Sequence, residues 1–504
     1  MPTGRRTATP ITRILGLLAA VTLLASLMTP TATAAQFTID DSTQVEKTMG
    51  DTSSSDVANC PTLTEQPRSL EAWFNTSDME YRGYIDPKNQ TPWPFIDKAA
   101  QLICGAEYGS KIYLGMYFIR AGALHTSRPE SDSEEVWKAM EWVHKYRDVK
   151  ISFVLDGGSI TSASAKKAIK SRLKNIANIT WCYNGCMNTN SSKNVFKYAI
   201  NHEKFVLLTD TIWDNPRDSQ GRFTVNKSSC STASGAANKC ATAIYSSSGQ
   251  FARSQVRTYW QEATLIYRDQ AMADAFYDRF YQMRICTGSN SGGSDCKKGQ
   301  WPSQKQLKKS SFKKKRGIWV DATYRHYTDS GRGTTISFSP QPASVTDYYT
   351  AQLERVDCRT DKRIRIAMYR LTDTRATNFV KILKKLRGDG CDIKMLLSQE
   401  GGATTISKKV AKQLKTAGMT GQVRCTAYPI HTKMVLIGPE ESNAGRVLFG
   451  TANMSTAGLR YSEEHVITID SRRATGTYRA DIEDVFGSYL EGWNELSQGN
   501  KVCK

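Results

Sequence analysis

Two short stretches in different halves of the chain constrain it most. Asn201-His202-Glu203-Lys204 runs into Phe205-Val206-Leu207-Leu208-Thr209-Asp210, and Ile430-His431-Thr432-Lys433 runs into Met434-Val435-Leu436-Ile437-Gly438. Each sets a histidine and a lysine two residues apart at the head of an apolar run. If that run is a buried strand, its period of two puts the imidazole and the ammonium on one face, aimed at one spot. A cation beside a group that attacks or carries a proton suits a phosphate, whose non-bridging oxygens need positive charge while a P–O bond breaks. One His-x-Lys arises easily by chance. The chain has six histidines, however, and two of them open this pattern.

The flanks repeat as well. A strand is predicted from Lys111 to Ile119, an amphipathic helix from Glu134 to Tyr146, and a strand from Val149 to Leu155 that ends at Asp156-Gly157-Gly158. The second half answers with Arg363 to Leu371, Asn378 to Leu386, and Cys391 to Leu397, which again approaches a glycine pair, Gly401 and Gly402. Downstream, Ser247-Ser248-Gly249-Gln250-Phe251 matches Gly450-Thr451-Ala452-Asn453-Met454. Tyr259 to Ile266 matches Tyr461 to Thr468, which sets Glu262 against Glu464. Each half closes on an amphipathic helix; in the second, Tyr478, Ile482, Val485, Phe486, Tyr489 and Trp493 keep helical spacing. Strands alternating with helices in two copies imply an α/β fold built by internal duplication.

The rest of the chain frames these halves. Arg5, Arg6 and Arg13 precede an apolar run from Ile14 to Met28 and a small-residue site at Thr31-Ala32-Thr33-Ala34-Ala35, so residues 1–35 read as a secretion signal and the protein as secreted. That run is shorter than the roughly 20 residues a spanning helix needs. Twelve cysteines then imply disulfides. Cys182/Cys186, Cys230/Cys240 and Cys286/Cys296 are close enough to staple loops, while Cys60, Cys104, Cys358, Cys391, Cys425 and Cys503 pair over spans that sequence leaves open. No Cys-x-x-Cys or clustered Cys/His spacing calls for zinc. A formal charge of +20 attracts anions such as nucleic acid, acidic lipid or cell-wall polymer, without choosing among them. The expected order is a polar N-terminal arm (36–90), a first lobe (91–286), a connector (287–316) and a second lobe (317–504). The connector is rich in Gly and Ser and then in Lys, and an insertion separates Trp213 from Cys240.

With its Gly/Ser-x-Asn-type turns and downstream carboxylates, the duplicated His-x-Lys resembles the phospholipase D superfamily over about residues 90 to 500. The resemblance implies two pseudo-twofold-related α/β sandwich lobes in one chain, one active site between them, and no metal or cofactor. It implies phosphodiester cleavage through a phosphohistidine. By similarity to secreted bacterial phospholipases D, His202 is the nucleophile and His431 the acid/base, the reverse being the alternative. Lys204 and Lys433 would hold the non-bridging oxygens, and Ser248, Thr451, Gln250 and Asn453 would donate hydrogen bonds. Glu262 and Glu464 would orient the histidines, and Asp210 would close the first motif as a supporting carboxylate. The chain departs from the pattern at Gly438-Pro439-Glu440, where the second motif lacks an aspartate, and at Gln250, where asparagine is usual. The expected substrate is a phospholipid headgroup ester, with Trp213, Tyr259 and Trp260 as aromatics near the motifs. A secreted nuclease, or a degenerate binder of anionic membrane or polymer, is the alternative. A monomer is expected, since one chain supplies both motifs.

Overall fold

Both apolar runs become central strands of large sheets. The computed structural model describes residues 67–74, 94–117, 134–160, 163–183, 200–213, 240–251, 259–285, 327–329, 331–341, 346–400, 403–404, 406–426, 429–460 and 462–498, with Cys60, Thr62, Leu63, Ile119, Gly185, Cys186 and Cys503 besides. The expected signal segment, the connector, the insertion over 214–239, and Gly401 and Gly402 lie outside the described residues. Among the described residues no helix is long and apolar enough to cross a membrane.

The first half contains β1 (Leu70–Phe74), α1 (Pro94–Cys104), β2 (Lys111–Met116), α2 (Glu134–Arg147), β3 (Lys150–Asp156), α3 (Ala163–Leu173) and β4 (Ala177–Cys182). It continues with β5 (Lys204–Thr211), β6 (Ala241–Ser247), β7 (Glu262–Tyr267) and α4 (Gln270–Ile285). The second half opens with β8 (Tyr327–Asp329), β9 (Arg332–Ser339), α5 (Tyr348–Leu353), β10 (Arg363–Met368), α6 (Asp373–Gly388) and β11 (Asp392–Leu397). After a small hairpin, β12 (Gln399–Glu400) and β13 (Ala403–Thr404), come α7 (Lys408–Thr416), β14 (Val423–Cys425), β15 (Lys433–Gly438) and β16 (Arg446–Gly450). It ends with α8 (Thr456–Arg460), β17 (Glu464–Ala474) and α9 (Thr477–Ser497).

The strands form a seven-stranded sheet, β1-β7-β6-β5-β2-β3-β4, and an eight-stranded one, β14-β11-β10-β15-β16-β17-β9-β8. Read backwards and without β8, the second order is that of the first. In both sheets a parallel pair (β2 with β3, β10 with β11) lies beside an antiparallel central strand (β5, β15). The α/β architecture with two matching lobes is therefore the expected one.

One boundary differs. Leu70–Phe74, inside the span read as a polar arm, pairs antiparallel with β7 and takes the place that β9 holds in the other sheet. Only Leu70 of its five residues is fully buried, so an edge strand of this kind shows no clear alternation in sequence.

Alternation along the central strands explains where the core sits. Val206 and Leu208 of β5 pack with Ile112, Leu114, Val136, Trp137 and Met140, whereas Phe205 and Leu207 join a second cluster. That cluster also takes Met434 and Leu436 of β15, Phe276 and Phe280 of α4, and Ile482, Phe486 and Tyr489 of α9. Val435 and Ile437 face a third cluster with Phe379, Val380 and Leu383 of α6. Both central strands are thus covered on both faces, which is why they read as unbroken apolar runs. Each buried aliphatic or aromatic side chain contributes roughly 1.5–3 kcal/mol. Trp493 adds a polar anchor, its Nε1 donating to Ile366 O at 3.1 Å.

Disulfides join Cys60 to Cys104, Cys182 to Cys186, Cys358 to Cys391 and Cys425 to Cys503, and Cys240 is also disulfide-bonded. Cys358–Cys391 ties together the segments that lead into β10 and β11. Crosslinks of this kind typically contribute about 2–4 kcal/mol, chiefly by restricting the unfolded chain.

Candidate active site

Because β5 runs antiparallel to β2, its head lies over the carboxyl ends of the parallel pair β2 and β3. Lys204 stands opposite Met116, and Tyr117 and Asp156 follow at the same edge. The second sheet repeats this, with Lys433 opposite Met368 and Tyr369 next along. The end of β6 (Ser247) and the start of β7 (Glu262) reach that edge too, as do the end of β16 and the start of β17. Carboxyl ends of strands are the usual place for ligand sites in α/β sheets.

The two edges are tied to each other by backbone. Asn201 bridges Glu463 and Trp260 bridges Ile430, one contact from each half to the other. His202 N–H donates to Glu463 O at 2.9 Å, and His431 N–H donates to Trp260 O at 2.8 Å. The imidazoles of His202 and His431 are thereby held with ring centroids 6.3 Å apart.

Their partners differ. His202 Nδ1 lies 2.8 Å from Glu464 Oε2, so one proton sits between ring and carboxyl. His431 Nδ1 instead donates to the backbone carbonyl of Ser248 at 2.6 Å. Lys204 Nζ donates to His202 O at 2.7 Å and lies 5.6 Å over the Tyr117 ring. Lys433 Nζ donates to His431 O, lies 3.0 Å from His431 Nδ1, and sits 5.3 Å over the Tyr369 ring. Each lysine is buried under its own histidine and against a tyrosine from the neighbouring strand end.

The electrostatics are those of a site short of negative charge. Burial lowers His202 well below the usual imidazole value, and Lys204, Lys433 and His431 lower it further, against a hydrogen bond to the Thr451 backbone. Burial and then Lys433 and Lys204 do the same to His431. Burial brings Lys204 down to about 7 despite Glu464 and Glu203, and pushes Lys433 well down with help from Lys204. Burial also raises Glu464 and Glu262 above the usual carboxylate range. Two ammoniums and two imidazoles packed this closely repel one another, and an anion placed among them relieves all four.

Most residues singled out in the sequence come together here, though not always in the expected contacts. Glu464 reaches His202 as anticipated. Glu262 does not reach His431, because it holds the place of His465 and Gln261 that of Glu464: Ser248 N–H donates to Glu262 O just as Thr451 N–H donates to His465 O. Its Oε2 accepts from Ser248 Oγ at 2.8 Å, and the Ser248 carbonyl takes the His431 imidazole. Thr451 Oγ1 accepts from the backbone N–H of His465 at 3.0 Å. Gln250 and Asn453 are buried, and the side-chain oxygen of each lacks a hydrogen-bond partner among the described residues.

Asp210 is not at the site. It lies exposed near the far end of β5, six positions past Lys204, which at about 3.3 Å per residue is roughly 20 Å away. Trp213 packs against the first-half core and Trp260 against Phe74 (5.2 Å), which leaves Tyr259 as the site aromatic among the three expected, 5.6 Å from His431.

Sequence reasoning missed Tyr117 and Tyr369, whose rings stand 5.1 Å from His202 and 4.7 Å from His431. Their equivalent places, one residue past the matched strands, were the available signal. It also missed exposed Arg370, which lies 5.6 Å from the Tyr369 ring and adds positive charge near Lys433 and His431. Among the described residues no group of three or more His, Cys, Asp or Glu side chains converges as metal ligands do.

Residues 358–486 match the family model described as cardiolipin synthase, PLD-like domain. No curated protein matches the chain. Among solved structures, phosphatidylserine synthase from Haemophilus influenzae is 10% identical, with 89% of this chain and 91% of that one covered at a TM-score of 0.47. Polyphosphate kinase from Porphyromonas gingivalis is 12% identical over 84% of this chain at a TM-score of 0.44. The chain spans about half of that enzyme, 47%. Nuc from Salmonella typhimurium, a phospholipase D family member, is 17% identical, covering 33% of this chain and 95% of its own at a TM-score of 0.25. Residues 358–486 are thus a phospholipase D-like domain.

Proposed function

We propose that the protein is a phosphodiesterase of the phospholipase D type, exported from the cell, that cleaves phospholipid headgroup esters or transfers the phosphatidyl group to an alcohol. The observation that carries the reading is the opposition of two buried His-x-Lys units whose imidazoles lie 6.3 Å apart. A phosphoryl group seated between them would place its non-bridging oxygens beside Lys204 and Lys433. His202 Nε2 attacks phosphorus and forms the P–N bond while the P–O bond to the leaving alcohol breaks. The Glu464 carboxyl, on the opposite ring nitrogen, offsets the positive charge this puts on the imidazole. With the phosphodiester anion bound beside it, His431 takes up a second proton and, as imidazolium, gives the Nε2 proton to the leaving oxygen; the neutral Ser248 carbonyl accepts from Nδ1 and holds the ring in place without trapping that proton. The same nitrogen then removes a proton from water or an alcohol, whose oxygen displaces His202 and frees the product. This difference between the two rings is what favours His202 as nucleophile.

The test is a divided assay on oxidised protein. One arm holds mixed phospholipid vesicles with ethanol, and the other holds plasmid and single-stranded DNA. Headgroup release with phosphatidylethanol formation, lost in both His202→Ala and His431→Ala, is the expected result. DNA cleavage with inert vesicles would transfer the same chemistry to a nuclease, a reading that the +20 charge favours. No turnover in either arm would overturn the phosphodiesterase.

A further inference from the structure

Directly behind the pair that faces the cleft lies a second pair, made from the next residue of each strand head. His202 meets Glu464, and Glu203 meets His465 with the roles reversed, the carboxylate now on the first strand head and the imidazole on β17. Glu203 Oε1 also accepts from Arg279 Nε of α4 at 3.1 Å, and His465 Nε2 lies 2.7 Å from Ser246 Oγ. Glu203 and His465 are completely buried, and the Phe276 ring stands 5.1 Å from the His465 ring. Arg279 reaches across to the second sheet by donating to Ser339 O. Burial alone would raise the Glu203 carboxyl, but His465 and Arg279 outweigh it and keep it ionised. None of these groups enters the chemistry proposed above.

The other motif is built differently at each of these places. The bridges Asn201–Glu463 and Ile430–Trp260 correspond, and Thr451 N–H donates to His465 O as Ser248 N–H donates to Glu262 O, so Thr432 stands where Glu203 does, Glu262 where His465 does and Gln261 where Glu464 does. There the inner carboxyl is held by the hydroxyls of Ser248 and Thr432, with no histidine and no arginine on it among the described residues.

We propose that Glu203, His465 and Arg279 form an internal clasp that positions Glu464 on His202, making them positioning residues for that contact. The reason is geometric. Successive side chains of a strand point to opposite faces, so anchoring His465 to Glu203 on the inner face fixes Glu464 opposite His202 on the outer one. The consequence for turnover rests on the phosphodiesterase reading, but the contact itself does not.

Two readouts test it. In protein carrying ¹⁵N-histidine, the proton shared by His202 Nδ1 and Glu464 should give a low-field NMR resonance, identified by its loss in Glu464→Gln. Glu203→Gln is expected to abolish or shift it, and to lower kcat about tenfold or more with KM nearly unchanged, as expected when only transition-state stabilisation is lost. Added to Glu464→Gln, the same change should cost nothing further, because the two act through one contact. If Glu203→Gln does not fold, the triple variant Glu203→Thr, Arg279→Met, His465→Ala removes all three ionisable groups together. It should fold and also lose the resonance. An unchanged resonance in a folded variant, even one with a lower melting temperature, would overturn the clasp, as would a rate loss equally large without the Glu464 carboxyl. Should no phosphodiester be turned over at all, the functional reading fails while the resonance still decides the clasp.

Discussion

Lys204→Met should make the protein more stable and inactive. Lys204 is completely buried beneath His202, and burial brings its amine down from 10.5 to about 7. Each pH unit of such lowering corresponds to about 1.4 kcal/mol, so carrying the charge in the folded state costs roughly 5 kcal/mol below pH 7. The native state binds fewer protons than the unfolded chain between pH 7 and 10.5, so in the wild type this cost fades as pH rises through that window. Methionine fills a similar volume without charge. It gives up the bond from Nζ to His202 O at 2.7 Å, a loss of about 1 kcal/mol. A net gain of roughly 3–4 kcal/mol at pH 6 is expected, vanishing by about pH 10.5. Removing Lys204 also relieves Lys433, which its charge helps to depress, so the two effects share a sign. Urea midpoints at several pH values, with the disulfides intact, measure it. A variant less stable than wild type at pH 6, or a gain independent of pH, would refute the reasoning. Activity should be lost throughout, because the phosphate has lost one of its two cations.

Two further outcomes follow from other positions. Asp210→Asn should leave turnover within about twofold of wild type, since the carboxylate is exposed at the far end of β5; a tenfold loss would return it to the site. Burial pushes Asp156 up to about 6, against hydrogen bonds from Ser159 Oγ (2.5 Å) and Gly158 N–H (3.2 Å). Its folded value lies above its unfolded one, so the stability it contributes is present below about pH 4 and lost as pH rises to 6. Asp156→Asn should therefore match wild type near pH 4 and exceed it by roughly 2–3 kcal/mol at pH 8, and parallel stability curves would contradict this.

What could be read in the sequence was whatever repeats locally. Lys204 to Leu208 and Lys433 to Ile437 declared themselves as strands because both faces are buried, and the histidine two residues before each lysine had to share its face. The Asp210 error has the same origin. A carboxylate ending an apolar run looks alike in sequence whether the run bends back to the site or, as here, carries it to the opposite edge. Tyr117 and Tyr369 were hidden because a tyrosine at the end of an apolar strand resembles core. Leu70–Phe74 was hidden because an edge strand is only half covered. The contacts of Glu203 with His465, and of Glu262 with Ser248 rather than His431, depend on which partner another strand offers, and local periodicity carries no trace of that.

The backbone bridges Asn201–Glu463 and Trp260–Ile430 brace each motif against the opposite half. In a twofold dimer of identical chains every such crossing occurs twice with the same side chains, so a buried charge would be buried twice and both imidazoles would have the same neighbours. Joining the halves in one chain removes that obligation while leaving the bracing in place. One crossing carries Glu203 and His465, the other Thr432 and Glu262, and each could change without the other. A division of labour between two histidines is therefore encoded in the single chain itself, where a symmetric pair would have to establish it anew at every turnover.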